Sequence, residues 1–276
     1  MSPTTEKAET SVTKPALTSR QITFLLLVIT AALPVVCWMT PDGVNWALTV
    51  VLMVIFLMVI GIGISGRPLG VLINERKLMS LSRFQVALWT VIVLAGYLVI
   101  VIARVKQGDV ADPLIVQIDW QVWTLLGIST TALVGSPLIS AVKRQKKPDE
   151  KEADIGVKAL QDAYGKDQSL KANSVGLLYT NKTADEARFT DMFESDEFTH
   201  TMLIDLGKVQ MFFFTVVAAI AFSGELLHVI VSTDLFIDNV AMPSFPEGLL
   251  TLMGISNAGY LGAKGVTQTK TKPAGQ

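Results

Sequence analysis

Apolar residues gather into six blocks divided by polar stretches: Gln21–Met39, Trp46–Ile64, Phe84–Ile102, Val122–Ile139, Val209–Val231 and Gly248–Ala263. About 20 apolar residues are needed to cross a bilayer as a helix, and a strand needs far fewer. The pattern therefore predicts an all-α polytopic membrane protein with six transmembrane helices. The sixth block is the shortest, and its length gives about 24 Å of helix at ~1.5 Å per residue.

The placement of basic residues orients these spans. Of the 23 lysines and arginines, all but Arg104 and Lys106 fall on one side of the scheme. Basic loops stay on the cytoplasmic side. Both termini and residues 143–208 are therefore expected in the cytoplasm, with residues 105–120 and 233–246 outside. The lysines at 264, 270 and 272 would break the asymmetry if the sixth block did not cross. Trp38, Trp46, Trp120 and Trp123 all fall at expected outer ends, where amphipathic rings favour the interface.

Two stretches recur in the same order. Leu81-Ser82-Arg83-Phe84-Gln85-Val86-Ala87-Leu88-Trp89-Thr90-Val91 opens span three, and Leu206-Gly207-Lys208-Val209-Gln210-Met211-Phe212-Phe213-Phe214-Thr215-Val216 opens span five. Thr124-Leu125-Leu126-Gly127-Ile128-Ser129 in span four matches Thr251-Leu252-Met253-Gly254-Ile255-Ser256 in span six. This suggests an internal duplication of a two-helix unit. An even number of spans per unit makes the copies parallel repeats, related by an axis near the membrane normal. Gln85 and Gln210 are the matching interface polar residues. The inward-running helices also carry small residues four apart, Gly127, Thr131 and Gly135 in one and Gly254, Ala258 and Gly262 in the other. Such stripes permit close helix packing in lipid, either inside the protein or between copies in a homo-oligomer.

The chain divides accordingly. Residues 1–20 read as a disordered cytoplasmic tail and 21–65 as a transmembrane hairpin. Residues 66–142 form unit one, 143–187 a cytoplasmic linker and cap, 188–264 unit two, and 265–276 a second disordered tail. Within the linker, Lys143 to Glu152 is mixed in charge, Ser174 to Tyr179 has a short extended pattern, and Ala184 to Phe198 is acidic and amphipathic. The soluble part is too small to bury a core of its own, so it is expected to dock on the bundle.

Composition narrows the function. The 276 residues are 50% hydrophobic and 17% charged, and the mean hydropathy is +0.47. Soluble domains carry about 25% charged residues, so an ordinary soluble enzyme is excluded. A net charge of −1 gives no electrostatic pull toward nucleic acid. Cys37 is the single cysteine, which leaves no internal disulfide and no cysteine metal motif. No GxxxxGK[ST], HExxH, GxSxG or CxxC motif occurs. The two histidines, His200 and His228, are expected on opposite membrane faces. No catalytic, cofactor-binding or metal-binding residues are therefore assigned, and no cofactor is expected.

Charges inside a membrane are functional candidates by default. Glu225 and His228 sit three apart on one helix face, and Arg104 ends span three at a comparable depth. The favoured expectation is a structural Glu225–Arg104 contact near the outer surface. Pro34 and Pro137 lie within spans and each removes a backbone donor.

At Met79-Ser80-Leu81-Ser82-Arg83-Phe84-Gln85, Leu126-Gly127-Ile128-Ser129, Ala187-Arg188-Phe189-Thr190-Asp191-Met192-Phe193 and Lys208-Val209-Gln210-Met211-Phe212-Phe213-Phe214, the chain resembles an uncharacterised family of bacterial integral membrane proteins. The resemblance covers about residues 66–263 and implies a bacterial inner-membrane location, without an activity or a substrate. The expected function is a non-enzymatic membrane scaffold or sensor whose cytoplasmic cap engages a protein partner. The alternative is a small channel or secondary transporter with a polar site at Glu225/His228, and a membrane enzyme ranks third.

Overall fold

A computed structural model describes residues 17–108, 112–164, 174–200, 203–232 and 241–271. Most of the expected tail 1–20, parts of both expected outer connections and the end of the tail 265–276 lie outside the described residues. Seven helices are described: α1 (Ser19–Met39), α2 (Val44–Ser65), α3 (Leu81–Gln107), α4 (Trp120–Gln145), α5 (Glu150–Tyr164), α6 (Leu206–Ser232) and α7 (Glu247–Gly265). Five of them, α1, α2, α3, α4 and α6, are long and apolar enough to cross a membrane. The chain is thus a mostly helical, multi-pass membrane protein.

Helix boundaries follow from local chemistry. Thr18 and Gln21 form a reciprocal capping box at the start of α1, satisfying backbone donors that a helix start leaves free. Gly66 ends α2 in a left-handed conformation, with φ of 74°, which costs glycine little. Gly108 ends α3 in the same way.

The central helix is α3, which packs on α1, α2, α4 and α6, while α7 lies against α4 and α6. The two hairpins α3–α4 and α6–α7 therefore stand side by side, like against like. The buried faces of α4 and α7 run in step: Val122 with Leu250, Leu125 with Met253, Ser129 with Asn257, Ala132 with Tyr260 and Ser136 with Lys264. That register is one residue away from the one in which their sequences match, and one residue turns a helix by about 100°. Gln85 is buried while Gln210 is exposed, so these two residues occupy different environments.

The core gathers around Trp89, fully buried and set edge-on against Phe222 and Phe245, whose rings stack on each other at 4.8 Å. Exposed Phe24, Leu27, Phe213 and Ile220 form part of the apolar outside that lipid covers. The small-residue stripes do not close the α4–α7 seam along its length. Gly127, Thr131, Gly254 and Ala258 instead line an open groove of about 470 Å³, and a Cβ at Gly127 or Gly262 would meet nothing within 4 Å. Gly135 does meet Leu261. The seam is held by polar contacts deeper in, such as Asn257 Nδ2 donating to the Ile128 carbonyl at 3.0 Å.

One end of the bundle carries a polar cap. Its pieces are α5, an antiparallel pair β1 (Ser174–Val175) and β2 (Leu178–Tyr179), and two short 3₁₀ turns at Ala184–Glu186 and Phe189–Phe193. The segment expected to be merely mixed-charge linker thus contains a helix, entered through Asp149, whose Oδ1 accepts from the Glu150 amide. Ala153 and Val157 of α5 pack against the cluster of Leu78, Tyr179 and Phe198. Gly156 is required at that contact, because a Cβ there would fall 2.4 Å from the Phe198 ring. The acidic stretch 184–198 consists of short turns and extended chain. Residues 266–271, expected as tail, thread into the cap, where Thr271 pairs with Pro148.

Candidate functional site

The cap meets the bundle at an acidic dipeptide, Asp196-Glu197. Backbone pairing holds it extended: the Tyr179 amide donates to the Asp196 carbonyl and the Phe198 amide to the Leu177 carbonyl. Adjacent residues of an extended chain face opposite ways, so the two carboxylates reach different partners. The tight turn of the β1–β2 hairpin uses Gly176, with φ of 63°, whose missing Cβ lets the Arg144 carbonyl pass.

Asp196 gathers three cations. Arg76 Nη2 lies 2.5 Å from its Oδ1, Lys208 Nζ 3.2 Å from the same oxygen, and Lys264 Nζ 2.9 Å from Oδ2. Glu197 takes Lys143 Nζ at 2.6 Å. Its second oxygen accepts from the Thr269 amide at 2.7 Å and hydroxyl at 2.5 Å, and both oxygens from the Gln268 amide. All four cations are at least nine-tenths buried, where Lys and Arg are found only when paired. Each comes from a different place: Arg76 from the turn before α3, Lys143 from the last turn of α4, Lys208 from the first turn of α6 and Lys264 from the last turn of α7. Two residues of the cap therefore tie together α4, α6, α7 and the turn that leads into α3.

Local chain geometry aims these groups. Arg76 follows an Asn74 side chain that accepts from its amide at 2.8 Å, and Lys77 closes the turn in a left-handed conformation, φ 58°. Arg76 also bonds the carbonyls of Tyr179 and Asp196. Lys264 reaches Ser136 Oγ at 2.6 Å and the Tyr260 hydroxyl at 3.3 Å, carrying the polar network onto α4.

Charge sets the titration of the cap. Burial alone would raise the Asp196 carboxyl, but Lys208, Lys264 and Arg76 outweigh it and hold it well below the usual carboxylate range. For Glu197, burial is likewise outweighed by the bonds from Lys143, Thr269 and Gln268, so its carboxyl is also lowered. Asp191 behaves oppositely. Burial pushes it up despite amide bonds from Arg188 and Met79. Burial, together with the neighbouring Asp191, also raises Glu194.

The residues singled out in the sequence lie elsewhere. Arg104 is buried and donates to the carbonyls of Ile115 at 2.9 Å and Asp112 at 3.3 Å, so it braces the connection after α3. Glu225 and His228 are exposed on α6, and no Glu225–Arg104 ion pair occurs among the described residues. Gln85 Nε2 donates to Thr215 Oγ1 at 2.6 Å, tying α3 to α6, while its Oε1 is buried without a partner. Gln210 makes no comparable tie, being exposed.

Sequence reasoning missed the dipeptide altogether and took its four partners for ordinary positive-inside charge. The available signal was an acidic pair in a short apolar-flanked segment, Phe193-Glu194-Ser195-Asp196-Glu197-Phe198, facing basic residues at the ends of several spans. Comparison with protein-family models, curated proteins and solved structures finds no match to this chain.

Proposed function

We propose that this chain is a non-enzymatic membrane scaffold or sensor, in which the cap presents a surface to a protein partner and follows the arrangement of the spans. The observation that carries this reading is the Asp196-Glu197 dipeptide, bonded to groups from α4, α6, α7 and the turn before α3. A displacement of any one of these helices changes the position of the cap, which is the coupling a sensor needs. A channel or transporter built on Glu225 and His228 draws no support from two exposed side chains.

The finer architecture belongs to the same proposal. We take α7 as a sixth span, because its buried face keeps step with α4 from Val122 to Ser136. Both termini and the cap then face the cytoplasm of a bacterium, and α3–α4 and α6–α7 descend from one duplicated hairpin. The open α4–α7 groove is where a second copy of the chain would dock.

Flux in reconstituted vesicles tests the reading. The scaffold or sensor passes no protons, cations or small solutes above the leak of empty vesicles, and Glu225→Gln changes nothing. A pH-dependent flux that Glu225→Gln abolishes in a stably folded protein would replace this proposal with the transporter.

A further inference from the structure

We propose that the cavity between the start of α3 and the end of α4 is a binding site for a phosphate-class oxyanion, carried by an anionic lipid headgroup or free in solution. The cavity measures about 260 Å³ and is separate from the Asp196 carboxylate, although Arg76 borders both. Its lining includes Arg83, whose Nη1 lies 3.5 Å from the Val71 carbonyl, and Arg76, whose Nη1 and Nη2 already donate to Tyr179 and Asp196, together with the hydroxyl residues Ser80, Ser82, Ser136 and Ser140. Arginine presents a planar fork of donors suited to phosphate oxygens, and hydroxyls complete such a shell.

Three observations give the cavity its polarity. Ser82 is 1% exposed and its Oγ has no hydrogen-bond partner, so a buried donor faces this region unsatisfied, a state that protein interiors avoid. Ser136 Oγ receives Lys264 Nζ and the Tyr260 hydroxyl, which occupies its acceptor positions and leaves its own proton for the cavity. The first turn of α3 opens at the same wall. Its N-cap, Ser80, makes no side-chain capping bond, and the first intrahelical bond runs from Phe84 to Ser80. The Ser80 amide is taken by the Leu72 carbonyl, which leaves the amides of Leu81, Ser82 and Arg83 as the donors at the positive end of a long helix.

The surrounding charge agrees. Arg76, Lys208 and Lys264 share the one carboxylate of Asp196, leaving the cluster with more positive than negative charge. Asp191, the nearby acid, is pushed toward its neutral form by burial. One carboxylate, Glu75, also borders the cavity, and Arg144 engages it at 3.0 Å. Uncompensated buried charge is costly, and an oxyanion beside Arg76 supplies the missing negative charge. The side of the cavity formed by Pro137 adjoins Val134 and Leu138, both exposed on the apolar surface of α4. The proposed oxyanion is a headgroup where it comes from this apolar side and a soluble anion where it comes from the cap.

The experiment uses the full chain in nanodiscs of phosphatidylcholine. In one arm inorganic phosphate is titrated against chloride at equal ionic strength and thermal unfolding is followed. In the other, part of the lipid is replaced by phosphatidylglycerol, and its retention is read by native mass spectrometry. The proposal expects stabilisation in the first arm, retention in the second, or both. Ser82→Ala and Arg83→Gln should each weaken the effect about tenfold, as fits the loss of a hydrogen bond to a charged group. Lys146→Gln, an exposed cation outside the cavity, should leave it unchanged. Stabilisation by phosphate alone assigns a soluble oxyanion, and retention of phosphatidylglycerol alone assigns a lipid. No response in either arm overturns the site, as does a response that survives both Ser82→Ala and Arg83→Gln or that Lys146→Gln removes equally.

Discussion

At Asp196 a single carboxylate answers three cations, and the arithmetic of buried charge makes it the most sensitive position on the cap. Removing one partner from a buried ion pair costs about 3–5 kcal/mol, because the remaining charges lose their compensation. Asp196→Asn keeps the shape and should lower the stability of the folded protein by roughly that amount, measured by thermal or denaturant unfolding in detergent. Arg144→Gln, which breaks a half-exposed pair with Glu75, should cost under about 1 kcal/mol. Acid should act at the same residue. The folded-state pKa of Asp196 is depressed, so its contribution is fully present above the unfolded value of about 3.9 and is lost as pH falls below it. Glu197 has the same sign. Asp191, raised by burial, has the opposite one, since its contribution is present in acid and lost as pH rises through its raised value. Asp196 and Glu197 are both depressed, so unfolding temperature should drop below about pH 4, and the drop should be smaller in Asp196→Asn. An equal acid drop in the variant would assign it to other groups.

Among the elements, the long apolar blocks were legible because lipid imposes one requirement on every spanning residue, and α1 to α4 and α6 lie where continuous apolarity places them. Elements of the cap were harder. α5 is short, polar and interrupted by Gly156, and its identity rests on a contact with Phe198 that no local pattern announces. The stretch 184–198 carries the aromatic spacing of an amphipathic helix, yet Asp191 bonds the Met79 and Arg188 amides and holds the chain in short turns. The match between Gln85 and Gln210 also failed to forecast environment, since α3 lies at the centre of the bundle and α6 at its side. The Gln85–Thr215 bond joining α3 and α6 yields a further prediction. In a double-mutant cycle with Gln85→Leu and Thr215→Val, the coupling should be near 0.6 kcal/mol and below about 1.7 kcal/mol, the range for hydrogen bonds between membrane helices. A coupling well above that range would mean that this contact organises a larger network than the two side chains.

For the molecule as a whole, charge was readable in sum and unreadable in detail. The imbalance from which an orientation of the spans is expected includes Lys143, which is buried on Glu197, and its neighbour Arg144, which is half-exposed. Sequence spacing treats the two alike, because burial of one depends on a dipeptide more than fifty residues away. Orientation itself is checked by labelling single cysteines in a Cys37→Ala background. Position 270 should react only from the side that also labels position 151, and reaction from the opposite side would remove α7 from the list of spans. The central claim is that the Asp196-Glu197 dipeptide locks the cap to the bundle, and amide hydrogen exchange tests it most directly. In nanodiscs, Asp196→Asn should expose the amides of residues 189–200 and 203–205 to fast exchange while the centres of α3 and α6 keep native protection. If the cap amides of Asp196→Asn exchange as slowly as those of the unaltered chain, the dipeptide does not hold the cap, and the coupling on which the sensor reading rests is absent.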